Sequence, residues 1–236
     1  MDERVAIITA RGGSKRIPRK NLKLFLNRPI IEYSIEAALG CGLFSEVMVS
    51  TDDEDIAKIA IHAGAKVPFL RSKENSNDYA GTAEVICEVI ETYRSLGNFF
   101  TIGCCIYPTA PFVTSDLLKS GLNLLIDKKY DVVFPVIPYS YPIQRSLRII
   151  DGSRAEMIWP DNYTKRSQDL EAAYHDVGQF YWFNTDNIIK KRKLITDNFG
   201  VIKISELNAQ DIDSECDWEL AEIKYSLMLK RNNPSF

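Results

Sequence analysis

The chain has 236 residues, 45% hydrophobic and 26% charged, with 29 Lys and Arg against 32 Asp and Glu and a net charge of -3. That composition suits an ordinary globular protein, long enough to bury roughly 70% of its unfolded surface without disulfide or metal staples. It lacks the excess of basic residues that sequence-independent DNA or RNA binding requires, so no nucleic-acid partner is expected.

The first apolar run covers residues 5–10, too short for a signal-peptide core or a bilayer span. No membrane partner is expected, and the cytoplasm is the expected location. The five cysteines, Cys41, Cys87, Cys104, Cys105 and Cys216, are odd in number and form no C-x-x-C pair. Reduced, mostly buried thiols are therefore expected rather than a disulfide scaffold or a zinc site. Only 2 histidines are present, which disfavours a Ser-His or Cys-His mechanism, and His62 reads as a structural helix residue.

In chain order, residues 5–10 read as a buried strand. Residues 29–39 read as a helix, with Ile30, Ile31, Tyr33, Ser34, Ala37 and Ala38 near the helical period and Gly40 and Gly42 at its end. A strand is expected at 47–50. Thr51 and Glu54 have capping-box spacing and are expected to open a helix over 53–63. Strands are expected at 66–70, 100–107 and 131–136, the last two stopped by Pro108 and Pro138. Helices are expected at 82–96, ended by Gly97, and at 115–128. This alternation predicts a single α/β domain over 1–236, with a mainly parallel sheet covered by helices and right-handed crossovers. Ligands bind such sheets beyond the C-terminal strand ends. Residues 138–174 are rich in Tyr, Arg and Pro without helical period, and read as an excursion serving as a lid or an oligomerisation arm. Strands return at 179–184 and 201–204. Ser214 with Asp217 is placed to cap a last helix over 216–229, beyond which residues 230–236 are expected to fray.

The densest chemical signal comes directly after the first strand. Residues 10–21, ARGGSKRIPRKN, hold five cations, two glycines and a serine. Glycines let backbone N–H groups approach an anion, and Lys and Arg can neutralise a polyphosphate. Neither the Walker A pattern nor G-x-G-x-x-G is present. The alternative for this loop is a solvated basic turn. Near the other end, Asp211 and Asp213 alternate on an extended segment, so both carboxylates face one side. Such hard oxygens suit Mg²⁺, which takes one or two carboxylates together with substrate phosphates. A helix N-terminus that favours acidic residues is the alternative, above all for Glu215 and Asp217. Tyr107-Pro108-Thr109-Ala110-Pro111 forms a rigid turn at a strand end. The excursion brings Tyr139, Tyr141, Gln144, Arg145, Arg148, Lys165, Arg166, Tyr174 and His175, a composition fitting either carboxylate recognition or an oligomer interface.

Residues 10–21 resemble the signature loop of the CMP-sugar synthetases, cytidylyltransferases acting on eight- or nine-carbon ulosonic acids. Arg11, Gly13, Ser14, Lys15, Lys20 and Asn21 match that loop. Residues 107–111 match the family's Q-P-T-S-P turn, and Asp211 and Asp213 its late D-x-D. The resemblance spans the chain and implies a three-layer, nucleotide-diphospho-sugar-transferase-like (Rossmann-like) fold whose excursion serves dimerisation. Residues 50–53, 107–111, 141–145 and 174–181 resemble the branch whose sugar is pseudaminic acid. Tyr107 in place of Gln, and the segment 176–179, depart from the sialic acid branch.

By that resemblance, CTP and a nine-carbon ulosonic acid are the partners, Mg²⁺ is the cofactor, and the chain forms a homodimer. Arg11, Lys20, Asp211 and Asp213 are the implied catalytic residues, the last two as metal ligands. Arg11, Gly13, Ser14, Lys15, Lys20, Asn21, Arg71, Asp78, Thr82 and Thr109 would bind CTP. Tyr107, Gln144, Arg145, Arg148, His175, Gln179 and Tyr181 would bind the sugar. The alternatives are a synthetase for legionaminic or sialic acid, a glycosyltransferase with its own D-x-D, and a non-catalytic nucleotide-binding regulator.

Overall fold

The computed structural model describes residues 3–232. Its strands are β1 (Arg4–Thr9), β2 (Leu24–Phe25), β3 (Arg28–Pro29), β4 (Glu46–Ser50), β5 (Ile102–Ile106), β6 (Val132–Pro138), β7 (Leu147–Asp151), β8 (Arg154–Met157), β9 (Tyr174–Asp176), β10 (Phe180–Asn184) and β11 (Phe199–Lys203). Its helices are α1 (Ile30–Gly40), α2 (Glu54–His62), α3 (Thr82–Ser95), α4 (Ser115–Lys128), α5 (Thr185–Lys191) and α6 (Glu215–Asn232).

The central sheet has the order β11-β6-β10-β5-β1-β4, with β9 added beside β6. Strands β4, β1, β5, β6 and β11 point one way, and β10 and β9 the other. The mainly parallel α/β fold is therefore present, with one departure from a simple βα succession. Strand β10 returns from beyond the excursion and inserts antiparallel between β5 and β6.

Alternation along β1 explains the layering. Ala6 and Ile8 pack with Ile31, Ile35 and Ala38 of α1, Ile56 and Ala60 of α2, and Leu118 and Leu122 of α4. Val5 and Ile7 face the other way, onto Ile86, Val89 and Ile90 of α3 and Ile188 of α5. Both faces of the sheet are thus covered, and Val5, Ala6, Ile7 and Ile8 are fully buried. Burial of that kind contributes about 1.5–3 kcal/mol for each large aliphatic side chain. A third cluster, Ile17, Phe25, Ile30, Tyr33, Phe112 and Trp218, docks α6 against the loop after β1.

Two local expectations are corrected. Residues 66–70 form no strand: Lys66 makes a single parallel bridge to Met48, and Pro68, which has no N–H, comes two residues later. Helix α2 is capped by Asp53, not Thr51. The Asp53 carboxylate accepts from the N–H groups of Asp55 at 2.9 Å and Ile56 at 3.0 Å. Thr51 instead accepts from the Asp53 N–H at 3.1 Å, setting the turn before the cap. The Ser214–Asp217 box is present: the Asp217 carboxylate accepts from the Ser214 N–H at 2.8 Å, and the Ser214 hydroxyl from the Asp217 N–H at 3.3 Å. Helix α6 runs on to Asn232, three residues beyond the expected 229, and residues 233–236 of the terminal segment lie outside the described residues.

Gly103 sits on β5 opposite Phe183, where a Cβ would overlap the Phe183 ring. Gly103→Ala is expected to lower unfolding free energy by about 1–3 kcal/mol, the usual cost of overpacking. Urea denaturation checks this, and an unchanged midpoint would show that the β5–β10 packing has slack.

Candidate active site

The C-terminal ends of β1, β4 and β5 open onto a cavity of about 280 Å³. Its wall includes Arg11, Ser14, Lys15, Lys20 and Asn21 from the loop after β1, Arg71 and Thr82 from beyond β4, and Tyr107 and Thr109 after β5. Residues far apart in sequence meet here because parallel strands deliver their outgoing loops to one edge.

The basic loop is held by acids from three segments. Asp52 accepts from the Gly12 N–H at 2.9 Å, and Asp55 pairs with Arg19 at 2.9 Å. Asp78 takes Arg11 at 2.8 Å and also pairs with Lys15. Asp213 takes Arg16 at 2.6 Å and stands 3.8 Å from Lys20. Lys20 also donates to the Ile212 carbonyl at 2.6 Å, so the cation is clasped by the D-x-D segment itself. Buried Asn21 braces the loop from inside, donating to the Arg11 carbonyl at 2.9 Å. Close approach makes a glycine necessary at position 12, where a Cβ would lie 2.8 Å from an Asp53 oxygen. At Gly13 a Cβ would meet nothing within 4 Å.

Arg71 differs from these cations. It is 8% exposed, donates to the Ser50 hydroxyl at 3.0 Å and to the Ser50 carbonyl at 2.5 Å, and forms no ion pair among the described residues. Burial lowers its guanidinium from the ordinary value, with Asp52 and then Glu88 pulling the other way from a distance. A buried cation without a carboxylate is costly unless something else compensates it. Burial likewise lowers the Lys20 ammonium from its ordinary value near 10.5, against the attraction of Asp213 and Asp211. Partial loss of solvent, then the Asp213 charge, raises the Asp211 carboxyl. Lys15 and Arg11 hold the Asp78 carboxyl low.

Opposite the basic loop, Tyr107 shares a hydrogen bond with Thr82 at 2.9 Å and packs its ring 5.5 Å from that of Tyr181. Burial pushes the Tyr107 phenol up to about 12. The Tyr181 hydroxyl donates to Asp176, whose carboxylate also accepts from the Gly178 N–H at 2.9 Å. A Cβ on Gly178 would stand 3.3 Å from Asp211 and 3.6 Å from Tyr107, so the acidic and phenolic groups adjoin.

A family profile described as cytidylyltransferase matches residues 5–208. The chain belongs to the cytidylyltransferase family. It is 40% identical over 223 residues to the pseudaminic acid cytidylyltransferase of Campylobacter jejuni, covering 94% of this chain and 96% of that one. It is 29% identical to the CMP-N,N'-diacetyllegionaminic acid synthase of Legionella pneumophila, covering 92% and 94%. Among solved structures, CMP:2-keto-3-deoxy-manno-octonic acid synthetase complexed with CTP aligns with a TM-score of 0.71 at 18% identity, covering 96% of this chain and 99% of that one. At that identity the likeness is one of fold.

In this cytidylyltransferase not every expected residue reaches the cavity. Gly13, Asp78, Asp211, Asp213 and Tyr181 stand outside its wall, Asp78 as the counter-ion of Arg11 and Lys15 and Asp213 as that of Arg16. Gln179 is buried behind the sheet end, its amide donating to the Asn208 carbonyl at 2.8 Å. His175 packs at a tilt against Tyr139, with ring centroids 4.7 Å apart, at the root of the excursion. Within the excursion, Gln144 donates to the Glu171 carbonyl at 2.8 Å, Arg145 to Ser167 at 3.2 Å, and Arg148 pairs with Glu156 across the β7–β8 hairpin. These three side chains are tied within the arm and are not brought to this chain's own cavity. Gly12, Asp52 and Asp176 also shape the site, though residue type and spacing assign them no role in it. The Thr51-Asp52-Asp53 run at a strand end was the available signal for Asp52.

The depressed Lys20 value has a consequence for stability. The unfolded chain holds its proton on this group to higher pH than the folded protein does, so folding gains stability as pH climbs towards 10.5. Wild-type protein is expected to gain stability relative to Lys20→Met over that range. Parallel pH profiles of unfolding free energy would contradict the burial of this charge.

Proposed function

We propose that the chain transfers CMP from CTP to the anomeric hydroxyl of pseudaminic acid, releasing pyrophosphate, for glycan assembly such as flagellin or surface polysaccharide glycosylation. The cavity carries the nucleotide half of this reading: buried Arg71 without a carboxylate, beside Arg11, Lys15 and Lys20, calls for an anion. The 40% identity to the Campylobacter enzyme supports the choice of sugar. Tyr107, at the position where the sialic acid branch has Gln, agrees with it.

In the reaction the anomeric oxygen bonds to the α-phosphorus while the bond to the bridging oxygen breaks. Pyrophosphate leaves with that oxygen, and the hydroxyl proton passes to solvent. No covalent enzyme intermediate is required. Arg11, Ser14, Lys15, Lys20 and Arg71 hold the triphosphate, while Asn21, Thr82 and Thr109 line the rest of the nucleotide pocket. Binding both anions in one place removes the entropy cost of their encounter, and fixed cations offset the charge that develops on the leaving group. Tyr107 in the cavity wall, with buried Tyr181 packed against its ring, marks the sugar side.

Asp211 and Asp213 fit Mg²⁺ by donor chemistry: they are hard oxygens, two in number, beside the triphosphate cations. Among the described residues no group of three or more His, Cys, Asp or Glu could hold a metal. Substrate phosphates would therefore complete the shell. When bound, the ion adds positive charge against the phosphates.

The arm supports a homodimer. Leu147, Ile149, Ile150, Trp159 and Tyr163 are all exposed on or beside a hairpin that, among the described residues, pairs only with itself. A second subunit would cover them. The five free cysteines, three of them buried, agree with a reducing cytoplasm. No described helix is long and apolar enough to cross a membrane.

The test is pyrophosphate release from CTP, ATP, GTP and UTP against pseudaminic, legionaminic and sialic acids. CTP with pseudaminic acid is expected to give the highest kcat/KM, and a metal chelator to abolish turnover. Asp213→Ala is expected to remain folded and lose about 10²-fold or more in kcat. Equal turnover of all three sugars would remove the sugar assignment, and near-wild-type turnover of Asp213→Ala in saturating Mg²⁺ the metal assignment.

A further inference from the structure

The segment between Arg71 and α3 has no regular secondary structure, yet it supplies the groups that hold Arg11 and Lys15 of the basic loop. The Asn77 carbonyl and the Asp78 carboxylate both accept from Arg11, at 3.1 and 2.8 Å, and Asp78 also takes Lys15. What fixes the segment is half-buried Glu88, in the second turn of α3. Its carboxylate accepts from the Ser72 N–H at 2.8 Å, the Ser72 hydroxyl at 3.1 Å and the Asn75 side-chain amide at 2.5 Å. Ser72 in turn organises residues 75 and 76. Its hydroxyl accepts from the Asn75 N–H at 3.2 Å, and its carbonyl from the Ser76 hydroxyl at 2.6 Å. Asn77 then closes the far half, accepting from the N–H groups of Tyr79 and Ala80 at 2.7 and 3.0 Å.

We infer that Glu88 is a positioning residue for the nucleotide site: through Ser72 and Asn75 it sets the segment that presents Asn77 and Asp78 to Arg11 and Lys15. The inference rests on the proposed CTP-dependent reaction, and Glu88 itself touches no substrate. Three hydrogen bonds to one charged acceptor form a strong anchor, since bonds to charged groups exceed neutral ones. The rest of the fold does not need it: α3 packs through Ile86, Val89, Ile90 and Tyr93, which face the sheet. Loss of Glu88 should therefore reach the nucleotide and not the sugar.

Glu88→Ala is expected to raise the KM for CTP about tenfold, with kcat and the KM for the sugar within about twofold of wild type. Glu88→Gln is expected to restore the CTP KM to within about threefold, because its oxygen still accepts from the Ser72 N–H and Asn75 can turn its carbonyl to the new amide. Amide hydrogen exchange over 72–78, read without any ligand, is expected to quicken in Glu88→Ala. An unchanged CTP KM in Glu88→Ala, or unchanged exchange over 72–78, would overturn the inference. So would an equal loss in CTP KM, sugar KM and kcat, which marks a general structural fault. If Glu88→Ala does not fold, the double variant Ser72→Ala/Asn75→Ala must give the same CTP-specific shift, and failure to do so overturns it. A wild-type protein inactive with CTP and every sugar would refute the proposed reaction, and the exchange comparison would then decide the role of Glu88.

Discussion

Positive charge crowded at one end of a parallel sheet is the constraint around which this site is arranged. Five cations occupy the loop from Arg11 to Lys20, and Arg71 lies buried beside them. Like charges in so small a volume repel, and each buried cation has lost its hydration. The acids of the site answer that problem. Asp52, Asp53 and Asp55 at the start of α2, Asp78 in the segment before α3, and Asp213 ahead of α6 each hold or brace part of the loop. Three chain segments are thereby tied to one loop by charge. These pairs brace the wall of the cavity, and Arg71 has no carboxylate partner among the described residues.

The same arrangement explains how an acidic chain can bind acidic reactants. A net charge of -3 says nothing of where the charges lie. Arg11, Lys15, Arg16, Lys20 and Arg71 line the cavity, and the carboxylates paired with the loop are partly exposed, so solvent weakens the pairing. A triphosphate entering the cavity would meet cations whose side-chain partners are partly exposed: Asp78 and Asp213 have side-chain exposures of 37% and 40%. Exchange of one anion for another costs little under those conditions. The binding energy is then free to favour the transferring phosphate, where charge builds during reaction.

Much of the fold was legible because local rules decided it. Residues 115–128 carry helical period, and the helix has those bounds. The Ser214–Asp217 box is a contact between neighbours. The basic loop and the D-x-D stood out because residue type and spacing carry their chemistry. Other features were decided elsewhere. The place of β10 between β5 and β6 depends on pairing across about eighty residues, which no local pattern encodes. Thr51 and Asp53 compete for one cap, and a carboxylate two residues nearer to the helix wins. Gln144, Arg145 and Arg148 look like ligands by type, yet their partners Glu171, Ser167 and Glu156 sit within the same arm. Glu88 was invisible because an acid on an amphipathic helix reads as a solvated face until the chain before it folds back.

Calorimetric titration of CTP and of cytidine, each at low and high salt, tests whether this cavity is a polyphosphate site with Arg71 and the basic loop as its binding charge. CTP is expected to bind at least about 100-fold more tightly than cytidine, salt to erode the difference, and Arg71→Met to lose most of it while remaining folded. CTP and cytidine binding with equal affinity, insensitive to salt and to the loss of Arg71, would contradict that reading.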